Sequence, residues 1–163
     1  HDWYLSSNLT KSNSLKDHLL PGLSTEGVPK NLKNTVYAFN YNDLESFKKI
    51  INKNKISTVI MEVSRNYIPE NNFLKKIRKI TEQKNIVLIF DECTSGFRQT
   101  YGGLHKLYKV NPDIAVFGKS LGNGHPGIMT EKLINKYWKE RKNGWHGIEV
   151  ISSEDINHSE LNK

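Results

Sequence analysis

The run Ile86-Val87-Leu88-Ile89-Phe90-Asp91-Glu92 sets an apolar, β-branched stretch directly ahead of two acids. A short continuous apolar run of this kind reads as a strand buried on both faces of a parallel sheet. Two similar runs flank it. Ile56 to Val63 is β-branched and nearly continuous in apolar character, and Ile114-Ala115-Val116-Phe117 is a shorter example. Between the first two lies a helical stretch from about Glu70 to Gln83, where Phe73, Leu74, Ile77 and Ile80 recur at helical spacing with lysines opposite. Strands alternating with helices imply an α/β domain with a mostly parallel sheet and flanking helices. Ligands of such sheets bind at the carboxyl ends of the strands. Two of those ends carry chemistry here: Asp91-Glu92 follows one strand and Gly118-Lys119 follows another.

Upstream, the first thirty or so residues are polar and read as loop, punctuated by Pro21-Gly22 and Gly27-Val28-Pro29. Thr35-Val36-Tyr37-Ala38-Phe39 reads as a short strand. Asn42 or Asp43 can cap a helix running through Ile51, with Leu44, Phe47 and Ile51 on one face. Downstream, Thr130 can cap an amphipathic helix carrying Leu133, Ile134, Tyr137 and Trp138, and Ile148 to Ile151 reads as one more strand. From Ser152 onward the chain is polar and reads as frayed.

The 163 residues suffice for one ordinary domain. The formal charge is +7, yet the lysines are scattered among asparagines, as in Asn52-Lys53-Asn54-Lys55, and do not alternate with aromatics on one face. Nucleic acid is therefore not an expected partner. The single cysteine, Cys93, excludes an internal disulfide and fits a reducing cytoplasm. No apolar run reaches the ~18 residues of a membrane span, and no signal peptide is visible. The start at His1, without an initiator methionine, suggests a fragment.

Taken singly, the acid and the lysine are ambiguous. Asp91 alone reads first as a cap, and Lys119 alone as a solvated surface group. The glycines after Lys119 could cradle a phosphate, but the lysine precedes them, which is not the P-loop order. Together, 28 positions apart on strand ends able to lie side by side, they match what pyridoxal chemistry needs. That chemistry takes a lysine amine to form a Schiff base and a carboxylate to keep the pyridine nitrogen protonated. Cys93 reads as a half-buried small hydrophobe. His105 and His125 read as loop residues, and no histidine has metal-ligand spacing, so no metal is expected. Arg98 either holds a carboxylate or closes the loop.

The stretch Leu88-Ile89-Phe90-Asp91-Glu92-Cys93-Thr94-Ser95-Gly96-Phe97-Arg98 resembles the class III aminotransferase signature DEV-x-TGFR. Asn111-Pro112-Asp113 through Phe117-Gly118-Lys119-Ser120-Leu121-Gly122-Asn123-Gly124-His125-Pro126 resembles the same family's PD-x4-GK-x-lGNG-P block. His1-Asp2-Trp3-Tyr4 is similar to the end of a YHGWHDW segment. Val59-Ile60-Met61-Glu62-Val63 is similar to a strand usually ending in Glu-Pro, with Val63 in the proline's place; Glu62 there is as readily a strand-end salt bridge.

The resemblance is to the glutamate-1-semialdehyde aminomutase branch of the fold-type I pyridoxal-phosphate enzymes. It implies a partial large domain of that α/β fold over residues 1–126, with 127–163 a divergent helical tail, a remnant of the small C-terminal domain. It implies pyridoxal 5'-phosphate as cofactor, bound by Asp91, Thr94 and Lys119, with Lys119 and Asp91 catalytic; Thr94 is as readily a turn residue. The activity implied is amino transfer, or an intramolecular amino shift, between a small-molecule amino donor and a carbonyl acceptor in a cytoplasmic homodimer. Segments that grip the cofactor phosphate in that family, upstream and in a partner-subunit loop, have no counterpart in these 163 residues. The alternative expectation is therefore an inactive truncated remnant serving as a binding or folding module.

Overall fold

The computed structural model describes residues 2–18 and 22–120. The tail expected as a helix around Leu133–Trp138 and a strand at Ile148–Ile151 lies outside these residues, as does His125. The chain divides into two compact units, His1–Ile56 and Ser57–Lys163.

In the first unit, two one-turn helices, α1 (Asp2–Leu5) and α2 (Ser7–Thr10), form where the sequence reads as loop. A 3-10 turn spans Lys30–Leu32. Residues 35–39 do not form the expected strand. Their aromatic and β-branched residues favour extended backbone, but β-propensity needs a ladder partner to express itself, and among the described residues no strand includes this stretch. Phe39 instead sets its ring edge-on to Phe47, 5.2 Å between centroids. Helix α3 (Leu44–Lys53) forms as the sequence predicts. Asp43 is its N-cap, the carboxylate accepting the Ser46 N–H at 2.9 Å, and Phe47 and Ile51 are its buried residues.

The second unit is built on a three-stranded parallel sheet in the order β1 (Thr58–Glu62), β2 (Val87–Asp91), β3 (Ile114–Val116). Helix α4 (Phe73–Gln83) connects β1 to β2 and packs on β2. Its apolar stripe, Phe73, Leu74 and Ile77, is buried together with Thr81. The helix ends in a Schellman motif. Asn85 takes the left-handed conformation (φ 52°), its N–H reaches the Glu82 carbonyl, and the Ile86 N–H reaches the Thr81 carbonyl at 2.9 Å. That turn feeds the chain directly into β2.

The apolar runs predict strands buried on both faces, and the structure corrects this. Residues opposite one another in parallel register share a face, with Thr58 against Val87 and Glu62 against Asp91, then Ile89 against Ile114 and Asp91 against Val116. One face carries Val59, Met61, Leu88 and Phe90, all buried. The other carries Ile60, Val87 and Ile114, which are 39–46% exposed. Among the described residues α4, the crossover helix, packs on the sheet. The strand sequences nonetheless have the composition of two-sided burial.

Candidate active site

The site residues sit where neighbouring strands end. Asp91 closes β2 on the more open face, opposite Glu62 of β1 and Val116 of β3. The ladder runs one residue further, with the Glu92 N–H donating to the Val116 carbonyl at 2.8 Å. Beyond β3, Phe117 and Gly118 are buried and Lys119 emerges exposed. Lys119 has φ 44°, in the left-handed region. A lysine there is uncommon and costs of order 1 kcal/mol, a kind of strain that clusters at functional sites. Its Nζ donates to Thr94 Oγ1 at 2.8 Å. Two residues expected to bind the cofactor, Lys119 and Thr94, are thus in direct contact, and the third, Asp91, lies at the adjacent strand end.

Asp91 is half-buried and its Oδ1 accepts the Cys93 N–H at 3.0 Å. A carboxylate has about four acceptor positions, so this bond leaves capacity for a further donor. Cys93 is half-buried as expected, and its thiol is pushed up by burial first and then by the Asp91 charge beside it. It is correspondingly a weak nucleophile. Arg98 is exposed.

Two acids have roles beyond those read from the sequence. Glu62 forms the strand-end ion pair considered for it, at a long 3.4 Å from Arg65. It also faces the site. Burial pushes its carboxyl up, Arg65 draws it down, Asp91 pushes it up, and Lys119 and the Thr94 hydroxyl draw it down; the balance is a raised carboxyl. The signal available in the sequence was its place at the end of a strand paired with that of Asp91.

Glu92 points the other way, into the core, and is fully buried. Its Oε1 accepts the His105 N–H at 2.9 Å and His105 Nδ1 at 2.8 Å. Its Oε2 accepts the Leu104 N–H at 3.0 Å and the Ser95 hydroxyl. Burial alone would raise this carboxyl, but the four donors outweigh it and hold the group below its ordinary value. His105 is therefore not a loop residue. It opens the one-turn helix α5 (His105–Tyr108) and is buried against Glu92. Gly103 makes the approach possible, since a Cβ there would collide with the His105 ring.

The two sequence blocks are tied together by packing. Phe97 lies edge-on to Phe117 at 5.4 Å. At the base of the same loop, a Cβ on Gly96 would stand 2.6 Å from Phe117 Cδ1 and 2.8 Å from the Glu92 carbonyl oxygen. Further along, Asp113 accepts the Leu88 N–H at 2.7 Å and pairs with Arg78 at 2.8 Å, fixing the start of β3 against β2 and α4.

Comparison with known proteins agrees with this arrangement. The family described as aminotransferase class-III matches residues 6–147, extending past the 126 residues that the motifs span. The glutamate-1-semialdehyde 2,1-aminomutase of Nitrosopumilus maritimus is 42% identical over 123 residues, covering 72% of this chain and 29% of the relative. An omega-transaminase from Sphaerobacter thermophilus superposes with a TM-score of 0.62 at 28% identity, over 82% of this chain and 33% of that one. A transaminase solved with PLP bound shares the fold, with a TM-score of 0.59 at 21% identity over 74% of this chain and 29% of its own. The chain spans about a quarter to a third of the length of such relatives. Among the described residues no helix is long and apolar enough to cross a membrane, and no group of side chains has the makings of a metal site. The matched residues, 6–147, cover most of the chain, and the parallel sheet is the one these transaminases share: the chain belongs to the class III aminotransferases.

Proposed function

We propose that this chain carries the cofactor-holding centre of a pyridoxal-phosphate-dependent aminotransferase or aminomutase. One observation carries the reading: Asp91 and Lys119 leave adjacent parallel strands at the same end of the sheet, with Lys119 Nζ held 2.8 Å from Thr94 Oγ1. The residues fit the group. The site offers a primary amine for the cofactor aldehyde, a carboxylate with spare acceptor capacity for the pyridine nitrogen, and a hydroxyl beside the amine. When bound, the cofactor supplies an electron sink for the carbanion formed at the substrate carbon. Lys119 then has two tasks at Nζ, covalent attachment and transfer of a proton to and from the substrate carbon. Asp91 is the carboxylate that keeps the pyridine nitrogen protonated. Thr94 fixes the direction of the amine.

The substrates proposed are a small-molecule amino donor and a carbonyl acceptor, or one molecule carrying both groups. Similarity to glutamate-1-semialdehyde aminomutases favours the second. The setting proposed is a cytoplasmic homodimer, in keeping with a lone free thiol. The decisive experiment is borohydride trapping in the presence of pyridoxal phosphate, followed by peptide mapping. The pyridoxyl label is expected on Lys119 and absent from Lys119→Ala. A label spread evenly over surface lysines overturns the reading.

A further inference from the structure

We propose that Phe97 is a positioning residue for Lys119, acting through the ring of Phe117. This deepens the reading of Lys119 as the cofactor-holding lysine and rests on it.

Three consecutive residues beyond β3 are laid against one turn, residues 93–97. Phe117 meets Phe97 edge-on, 5.4 Å between ring centroids. Gly118 lies on Cys93, where a Cβ added to the glycine would stand 3.2 Å from Sγ. Lys119 Nζ donates to Thr94 Oγ1 at 2.8 Å. The contacts at 118 and 119 are light, a backbone against one sulfur and a single hydrogen bond from an exposed side chain. The contact at 117 is the firm one. Phe117 is buried, and its ring also abuts Gly96, where any Cβ would collide with it. A shift of that ring carries Gly118 and the amine of Lys119 with it.

Phe97 is strained where the turn alone has no need of a phenylalanine. Its φ is 58°, an outlier for a bulky side chain. Glycine or asparagine takes the left-handed conformation at less cost. Among the described residues the other left-handed positions are asparagines or glycines, save Lys109, which ends α5, and Lys119 itself. Strain of this kind persists only where surrounding contacts hold it. Here the Phe97 N–H donates to the Gly102 carbonyl at 2.8 Å, and its ring stands edge-on to Tyr101 at 6.3 Å as well as to Phe117. The two strained residues, Phe97 and Lys119, thus lie on either side of Phe117. The ring at 97 is kept, against its backbone preference, because it is what reaches Phe117.

The test reads where the amine stands and not whether the fold survives. The full chain is incubated with pyridoxal phosphate, reduced with borohydride and mapped by mass spectrometry. Label on Lys119 is expressed as a ratio to label on exposed Lys55 and Lys76 of the same molecules. Phe97→Asn removes the ring with a residue suited to the left-handed backbone. It is expected to lower the ratio by roughly two- to tenfold, the preference that one aromatic pair lends to a geometry. Phe97→Tyr keeps the ring and should keep the parent ratio. Phe117→Leu should lower the ratio by a similar factor, and the double variant no further, since both changes break one contact. An unchanged ratio in Phe97→Asn overturns the proposal even where the urea midpoint falls, because the ring then only stabilises the loop. Losses that multiply in the double variant overturn it too. Should Phe97→Asn fail to fold by circular dichroism, an unchanged ratio in Phe117→Leu overturns it equally. The parent protein separates the two readings. A label on Lys119 with indifferent Phe97 variants sinks only the positioning role, whereas no label on Lys119 in the parent sinks the cofactor-holding lysine and this role with it.

Discussion

Replacing Glu92 by glutamine tests the buried node that supports the site. The two carboxylate oxygens each accept two hydrogen bonds: His105 N–H and Nδ1 on one, Leu104 N–H and the Ser95 hydroxyl on the other. An amide keeps one accepting oxygen and presents an NH2 in place of the other. If the NH2 replaces Oε2, the Ser95 hydroxyl can turn to accept, but the Leu104 N–H is orphaned. If it replaces Oε1, His105 can change tautomer, but its backbone N–H is orphaned. Either way one buried N–H is stranded, at ~1–3 kcal/mol, and the bonds that remain lose their charge assistance. The expected loss is about 2–4 kcal/mol, a large part of the ~5–15 kcal/mol typical of a folded domain. The sign of the pH dependence follows from the depressed folded-state carboxyl. The unfolded chain binds this proton more readily, so the stabilisation is complete above about pH 4.5–5 and is lost as pH falls through the lower folded value. Urea unfolding at pH 7 should therefore show a lowered midpoint with an unchanged slope in Glu92→Gln, and the gap to the parent should narrow below pH 4. A loss under about 1 kcal/mol at pH 7, or a gap that does not vary with pH, would refute the reasoning.

Other substitutions probe single links. Gly96→Ala places a methyl group against Phe117 and the Glu92 carbonyl and should cost about 1–3 kcal/mol by overpacking, read as a lower thermal midpoint; a neutral outcome would mean the 92–97 turn yields freely. Asp43→Ala removes the N-cap of α3 and should cost ~1 kcal/mol in urea unfolding, while Asp43→Asn restores most of it. Asp91→Asn in an active enzyme should retain some pyridoxal phosphate yet lower kcat by roughly 10³ or more, since a neutral amide no longer holds the pyridinium; undiminished turnover would remove Asp91 from that role.

The three strands, helices α3 and α4, and the side-by-side placement of Asp91 and Lys119 are legible in the amino-acid sequence. They follow from β-branched runs, helical spacing and an acid or a lysine at strand ends. The features that are not legible depend on contacts distant in sequence. Residues 35–39 have strand-like composition but form no strand among the described residues, and composition alone does not say whether a ladder partner is at hand. Helices α1 and α2 are single turns, too short for any periodicity to register. His105 reads as a loop residue until Glu92, thirteen positions away, is seen to accept from it. Thr94 is open in the sequence between a turn role and a cofactor contact, and only the 2.8 Å bond to Lys119 shows which side chain it meets.

Asp91 and Glu92 together explain why two acids stand at the end of a buried strand. Side chains along extended backbone alternate between faces. Because the Glu92 N–H still bonds to Val116, the strand geometry persists one residue past Asp91. Asp91 is thereby turned to the site and Glu92 to the core. The outward acid would be poorly fixed if the following loop were free to move, for Asp91 Oδ1 is held by the Cys93 N–H in that loop. The inward acid removes the freedom. It gathers Ser95, Leu104 and His105 around one carboxylate and closes the segment from 93 to 104 into a pinned loop. Thr94, the contact of Lys119, lies inside it. Exchanging the two acids would put the shorter side chain at the node, where it would fall about one methylene short of four donors, and the longer and more flexible one at the site. The order Asp then Glu is thus a mechanical requirement of this arrangement as well as a chemical one.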